Sequence, residues 1–291
     1  MAEETPAEAQ ARQQENYRFE VRHLKGPPIR VDTEAGPDEL AQLTARIEST
    51  WSEFGRTDAH WSVITQERFR AGSIDDTREE FYQTGEHTVG NLEAVLARHG
   101  VALADLPHVT DYGCGVGRVS AAIARRGPAV TAVDISAEHL DFAAQRFRQL
   151  GLERARTCRL AALSDIDALP ETDLFFSVIV LQHNPPPMIA EILRRALSRV
   201  RAGGLAHFQV PTYHPDYVYD LKGDLAGRPG QMEMHVMPQE AVFALLDAAG
   251  FVPLEVRPEP SVGNPRFESH LFLARRRAAG ATTPAEGDHD G

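Results

Sequence analysis

Apolar positions along this chain take two forms: spacings of three and four, and short unbroken runs. Leu40, Leu43, Ile47, Trp51 and Phe54 follow Pro37 at helical spacing, and Gly55 is expected to end that helix. Val89, Leu92, Val95, Leu96 and His99 mark a second stripe, stopped by Gly100. Further helices are expected over Val119–Arg126, after the cap Ser136 (Leu140, Ala143, Ala144, Phe147), over Ile189–Val200, and after Pro238 (Val242, Leu245, Leu246, Ala249). Between them lie strand-length runs: His108–Tyr112, Ala129–Val133, Arg156–Leu160, Leu174–Leu181, Leu205–Val210 (ended by Pro211), Phe251–Val256 and Ser269–Ala274. Strands alternating with helices predict an α/β fold with a parallel sheet. The unbroken LFFSVIVL suits a central strand covered on both faces.

Two stretches have no clean period. Trp61, Phe69, Ile74, Phe81 and Tyr82 stand among polar residues, and Thr212–Met237 gathers tyrosines, His214, His235 and Met232, Met234 and Met237. The ends, 1–16 and 276–291, are polar and read as disordered tails.

Charge and composition narrow the function. A net charge of −12 argues against a nucleic-acid surface, which needs clustered Lys and Arg. The two cysteines, Cys114 and Cys158, form no disulfide framework and suit a reducing compartment. No apolar run reaches the ~18 residues of a membrane helix, and the first residues are acidic rather than signal-like. A cytoplasmic protein with no membrane partner is expected.

The chemistry concentrates at 108–136. A short strand ends in Asp111, and Gly113, Gly115 and Gly117 follow at alternate positions. Such glycines let the backbone turn sharply and let a ligand approach. Asp134 ends the next strand, about 20 residues on, where an acid accepts hydrogen bonds from ribose hydroxyls. A dinucleotide turn would need its third glycine where Arg118 stands. The acid before the turn suits a cationic amino group better than a pyrophosphate, which favours S-adenosylmethionine (SAM) over NAD.

In these residues the chain resembles the class I SAM-dependent methyltransferases, over roughly Leu92 to Arg275. The resemblance implies a Rossmann-like, seven-stranded, mostly parallel sheet sandwiched by helices, its final two strands an antiparallel pair. It implies an N-terminal helical lid over 17–90, a SAM-binding domain over 91–275, and a substrate-pocket insertion at 212–237 that could instead be a homodimer contact. SAM would be held by Asp111, Gly113, Cys114, Gly115, Gly117, Asp134 and Ile135, with Gln182 and the lid's Tyr82, beside Gly85, close by. Asp165 matches the acid that bonds the adenine amino group in that family, with Ile166 packing on the ring; a solvated loop is the other reading.

Methyl transfer asks the protein mainly for orientation and exclusion of water, and for a base when the acceptor must lose a proton. His183, after the central strand, is the first candidate base; a structural role bonding the proline turn is the alternative. Asn184-Pro185-Pro186 is similar to the N-P-P-aromatic motif of amino-group methyltransferases, with Pro187 in place of the aromatic. Tyr213, His235 and Asn184 are the expected acceptor contacts. No zinc spacing is present, so no resident metal is expected, while a magnesium site stays open. The leading reading is methyl transfer to a small-molecule acceptor. A NAD-dependent oxidoreductase and a non-catalytic SAM-binding protein are the alternatives.

Overall fold

The computed structural model describes residues 10, 13, 14 and 26–278, except 229, 231 and 265. The tail expected at 1–16 lies almost wholly outside the described residues, as do 17–25, and of the tail expected at 276–291 only 276–278 are described. From residue 26 onward the elements begin with a two-residue strand, β1 (Arg30–Val31), and two long helices, α1 (Pro37–Val63) and α2 (Ile74–Arg98). Strand and helix then alternate: β2 (His108–Tyr112), α3 (Arg118–Ala124), β3 (Ala129–Asp134), α4 (Ala137–Gln149), β4 (Ala155–Arg159) and β5 (Thr172–Ser177). The rest comprises α5 (Pro186–Ser198), β6 (Val200–Tyr213), β7 (Val218–Tyr219), α6 (Leu221–Ala226), α7 (Gln239–Ala248), β8 (Phe251–Pro258) and β9 (Glu268–Arg276).

Seven strands form one sheet in the order β4-β3-β2-β5-β6-β9-β8. Every pair from β4 to β6 is parallel, and β9 joins antiparallel to β6 and β8. The fold is therefore the Rossmann-like, mostly parallel sheet expected, with helices on both faces. Alternation along the strands separates the two cores. Phe175, Phe208 and Phe272 face α5 and α7, while Val109, Leu174 and Leu273 face α2, α3 and α4. Among the described residues no helix is long and apolar enough to cross a membrane.

Several sequence expectations are corrected. Gly55 does not end α1; the helix continues to Val63 through a kink at Asp58, whose carboxylate accepts from Arg70 Nη1 and the Ala71 N–H at 2.7 Å each. Gly55 marks a close crossing, since a Cβ there would lie 2.8 Å from Ser136 Oγ and from Glu138 Cβ. The central strand stops at Ser177, not Leu181, because Ile179 takes a positive φ of 60° and its N–H leaves the ladder for Gln209 Oε1, 2.9 Å away. Pro211 does not end β6. It lies beyond Phe208, the last residue of β6 paired with β5, and only β9 still flanks it, so its missing N–H breaks no ladder bond. The last strand includes Arg276, which had been assigned to the tail.

The boundary expected at 90/91 falls inside α2. This helix joins the aromatic segment to the sheet without a break. Phe69, Phe81 and Tyr82 pack edge to face, with ring centroids 5.2 and 5.3 Å apart, in a small core with Ala59, Ile74 and Val116.

Two glycines of α2 separate packing from propensity. At Gly85 a Cβ would sit 2.3 Å from the Arg118 carbonyl oxygen, whereas at Gly90 nothing lies within 4 Å. Gly85→Ala should cost about 1–3 kcal/mol by forcing α2 off α3, while Gly90→Ala should stabilise by about 0.5–1 kcal/mol. Urea denaturation of the two variants checks the opposite signs.

Candidate active site

The carboxyl ends of β2, β3 and β5 open into a cavity of about 810 Å³, within the range of ligand pockets. This is the crevice where open α/β sheets bind ligands. Its edge is the turn after β2. Gly113, Gly115 and Gly117 all have positive φ (74°, 53° and 78°), a backbone that side-chain-bearing residues rarely adopt. Gly113 and Cys114 donate their N–H groups to the Val133 carbonyl at 2.8 and 2.9 Å. Asp134 at the tip of β3 completes the bracing: its Oδ2 accepts from Gly115 N at 2.8 Å and its Oδ1 from Ser136 N at 2.9 Å.

Asp111 is 3% exposed and accepts from the Ser120 hydroxyl at 2.5 Å. Burial pushes its carboxyl up to about 6, against the pull of Ser120 and the nearby Arg118. Arg118 is itself buried, which lowers it to about 10. Its Nη1 donates to Thr84 and Thr88 hydroxyls at 3.1 and 3.0 Å, and its Nε has no partner among the described residues. A buried carboxylate with so few donors is suited to receive a cation. Cys114 also lines the cavity, with its thiol raised well above the usual range by burial; it fills space and is not poised as a nucleophile.

The segment after β5 supplies the opposite wall. His183 Nδ1 lies 3.0 Å from the Glu233 carbonyl, which can only accept, so Nδ1 carries the proton. Nε2 then receives the Gln182 side-chain amide at 3.1 Å, and Gln182 Oε1 accepts from Gln209 at 3.0 Å. Burial lowers the His183 imidazole to about 4, so it is neutral near pH 7. Trp51 of α1 meets this ring edge-on at 5.3 Å, and the Asn184 amide donates to Val180 O at 3.0 Å.

The expected residues divide cleanly. Asp111, Gly113, Cys114, Gly115, Asp134 and Ile135 line the cavity, as do Gln182, His183 and Asn184. Others do not. Gly117 backs onto α4, its absent Cβ 2.8 Å from Ala143 Cβ. Tyr82 is buried behind the turn under Arg146, and its neighbour Gly85 abuts Arg118. Ile166 is fully buried in the core, and Leu163 stands in the cavity wall instead. Asp165 turns back on its own loop, its Oδ2 accepting from Ala161 N and Ala162 N at 2.8 and 2.9 Å. Tyr213 lies outside, donating to Pro27 O, and His235 is packed between Tyr217 and Tyr219. From the insertion, Met232 and Met234 reach the cavity.

Sequence reasoning missed other wall residues: Trp51, His139, His207 and Glu259. For His207 a signal existed, since His207 and Gln209 are polar at alternate positions inside the otherwise apolar LAHFQV. Among the described residues no group of three His, Cys, Asp or Glu side chains could hold a metal.

Comparison with known proteins fits this geometry. Residues 109–204 match the family described as methyltransferase domain. The ubiquinone biosynthesis O-methyltransferase of Coxiella burnetii is 30% identical over 121 residues, 40% of this chain and 49% of that protein. The chain thus spans about half the length of the curated relatives it matches. Among solved structures, magnesium protoporphyrin IX methyltransferase from Synechocystis PCC 6803, with bound SAH, superimposes with a TM-score of 0.58 at 18% identity, over 80% of this chain and 99% of that one. The 1,6-didemethyltoxoflavin-N1-methyltransferase of Burkholderia thailandensis gives 0.53 at 23% identity, over 85% and 94%. These likenesses extend the shared fold well beyond the matched core.

Because the Asp111 carboxyl is raised in the folded chain, its ionisation opposes folding. That cost is absent below its unfolded value of 3.8 and grows as pH rises toward 6. Asp111→Asn should therefore stabilise the ligand-free protein at pH 7.5 by ~2–3 kcal/mol, at about 1.4 kcal/mol per unit, and by almost nothing near pH 4. Urea titrations at the two pH values test this.

Proposed function

We propose, from the match of residues 109–204 to the methyltransferase domain family, that this chain is a class I SAM-dependent methyltransferase that transfers a methyl group from SAM to a small-molecule acceptor. The observation that carries the reading is the pair of carboxylates, Asp111 and Asp134, at adjacent strand tips flanking a three-glycine turn over one large cavity. The fit to SAM is chemical. Asp111 offers a buried negative charge to the amino group, and Arg118 Nε–H offers a free donor to the carboxylate. Asp134 has lone pairs left for ribose hydroxyls, and Trp51, Leu160 and Leu163 supply apolar surface for the base.

SAM supplies a methyl group already activated by the positive charge on sulfur. The chain's own contribution is orientation and exclusion of water by α1 and the 178–184 segment. We assign His183 as proton acceptor for a hydroxyl or N–H acceptor. It is neutral at physiological pH, and the Glu233 carbonyl fixes the tautomer with Nε2 unprotonated. Gln182 would yield Nε2 when an acceptor binds. The acidic surface suits a diffusible small molecule over a phosphate polymer, and the free thiols suit the cytoplasm.

Calorimetry should give micromolar binding of S-adenosylhomocysteine (SAH), weakened at least about tenfold by Asp134→Ala, the loss of two charge-assisted bonds. SAM affinity should rise between pH 5 and 7, because Asp111 must lose its proton to pair with an ammonium group; a pH-independent affinity would exclude that role. His183→Ala should lower kcat by roughly 10²-fold or more with SAH affinity unchanged, and the wild-type kcat at saturating SAM should be flat from pH 6 to 8.

A further inference from the structure

The cavity is longer than the cofactor reading uses. Beyond the glycine turn it runs on between α2 and the floor of the sheet, closed by residues 259–263 between β8 and β9. The walls of this end are apolar: Leu92 and Val95 from α2, Phe176 and Val178 around the end of β5, and Leu271 from β9. Two buried polar groups, Glu259 and His207, interrupt them, and His87, Thr88 and Asn91 of α2 bring further polar atoms to the same cavity.

Glu259 is only 8% exposed, and both its carboxylate oxygens lean on one donor, the Ser261 N–H, at 2.9 Å each. Among the described residues no Lys, Arg or His forms an ion pair with it. A carboxylate sunk in an apolar wall with one N–H to share is short of donors. His207 stands on the floor, 4% exposed, with its ring 5.8 Å from that of Phe176. Its Nδ1 is buried without any partner among the described residues. Native interiors seldom leave such atoms unsatisfied, so each calls for a ligand atom or water. Of the other charges, Arg118 faces Asp111 at the turn and is bonded to Thr84 and Thr88, while Glu255 and Arg98, which act on His207, are paired with each other. The unmatched charge in this end is negative.

Resting on the methyltransferase reading, we propose that this end is the acceptor chamber and that it takes a flat, largely apolar ring compound bearing an amine: Glu259 receives the cationic or N–H-donating nitrogen, and His207 Nδ1 accepts a second N–H or O–H. A carboxylated or phosphorylated acceptor is disfavoured, since it would bring a second anion against the buried Glu259. The apolar walls supply the affinity, and the two acceptors set orientation.

Three ring compounds of nearly equal size test this on the full chain saturated with SAH: tryptamine (cation), tryptophol (neutral) and indole-3-acetate (anion), by calorimetry. Tryptamine should bind at least about tenfold more tightly than tryptophol, the share of one buried charge-assisted bond, and indole-3-acetate should not bind measurably. Glu259→Gln should bring the tryptamine-to-tryptophol ratio close to one without altering SAH affinity. His207→Leu should weaken both by a similar factor. Equal or tighter binding of the anion, a ratio untouched by Glu259→Gln, or no binding by any of the three would overturn the proposal. The wild-type ranking decides even if a variant fails to fold. SAH binding is measured first; its absence would count against the methyltransferase reading itself, and the probe ranking would then be taken on the unliganded chain.

Discussion

The Asp134 carboxylate holding the Gly115 N–H is the contact on which the rest of the site depends. It ties the turn after β2 to the tip of β3, and the same carboxylate holds Ser136 N, the start of α4. Three backbone segments thus meet at one side chain. The parallel register of β2 and β3, Asp111 beside Ala132 and Tyr112 beside Val133, brings them there. Without that register neither the turn nor the two acids would share a crevice. Ser136 then caps α4 through its hydroxyl, which accepts from His139 N at 3.2 Å, so the helix that carries His139 to the cavity wall is set by the same corner.

The site also shows how a fold keeps charge in a dry place. Asp111 lies under the turn on the α3 face, facing Arg118, and neither is fully matched by the other. Each is held by hydroxyls, Ser120 for the acid and Thr84 and Thr88 for the base. Hydroxyls orient a charge without neutralising it. The zwitterionic end of an amino acid would complete both halves together, which is why the pair reads as preorganised for a ligand and not as a structural ion pair.

Much of this was legible in the sequence, for reasons that can be named. The alternation of strands and amphipathic helices carried the fold because period is a local property. The glycine turn and its two acids were legible as the walls of one cavity because their spacing is local too. What failed depended on tertiary contact. Gly55 looked like a helix stop and is a helix crossing. Ile166 looked available and is core, while Leu163 reaches the cavity. Tyr213 and His235 stood in a segment with no period, where nothing local says which way a side chain turns; both bond within the scaffold. Glu259 and His207 were missed for the opposite reason: one comes from the segment after β8 and the other from β6, and they meet the cavity only after the sheet closes. The polar alternation at His207 and Gln209 was the visible trace, and Gln209 proved to be the residue that ends β5 and braces Gln182.

The central claim is a place and an orientation for one ligand. A crystal structure of this chain grown with S-adenosylhomocysteine tests it most directly. The account predicts density in the crevice at the ends of β2 and β3, ribose hydroxyls on Asp134 and the amino group on Asp111. An empty crevice with the ligand bound elsewhere, or the same crevice occupied with the amino end turned away from Asp111, would contradict it.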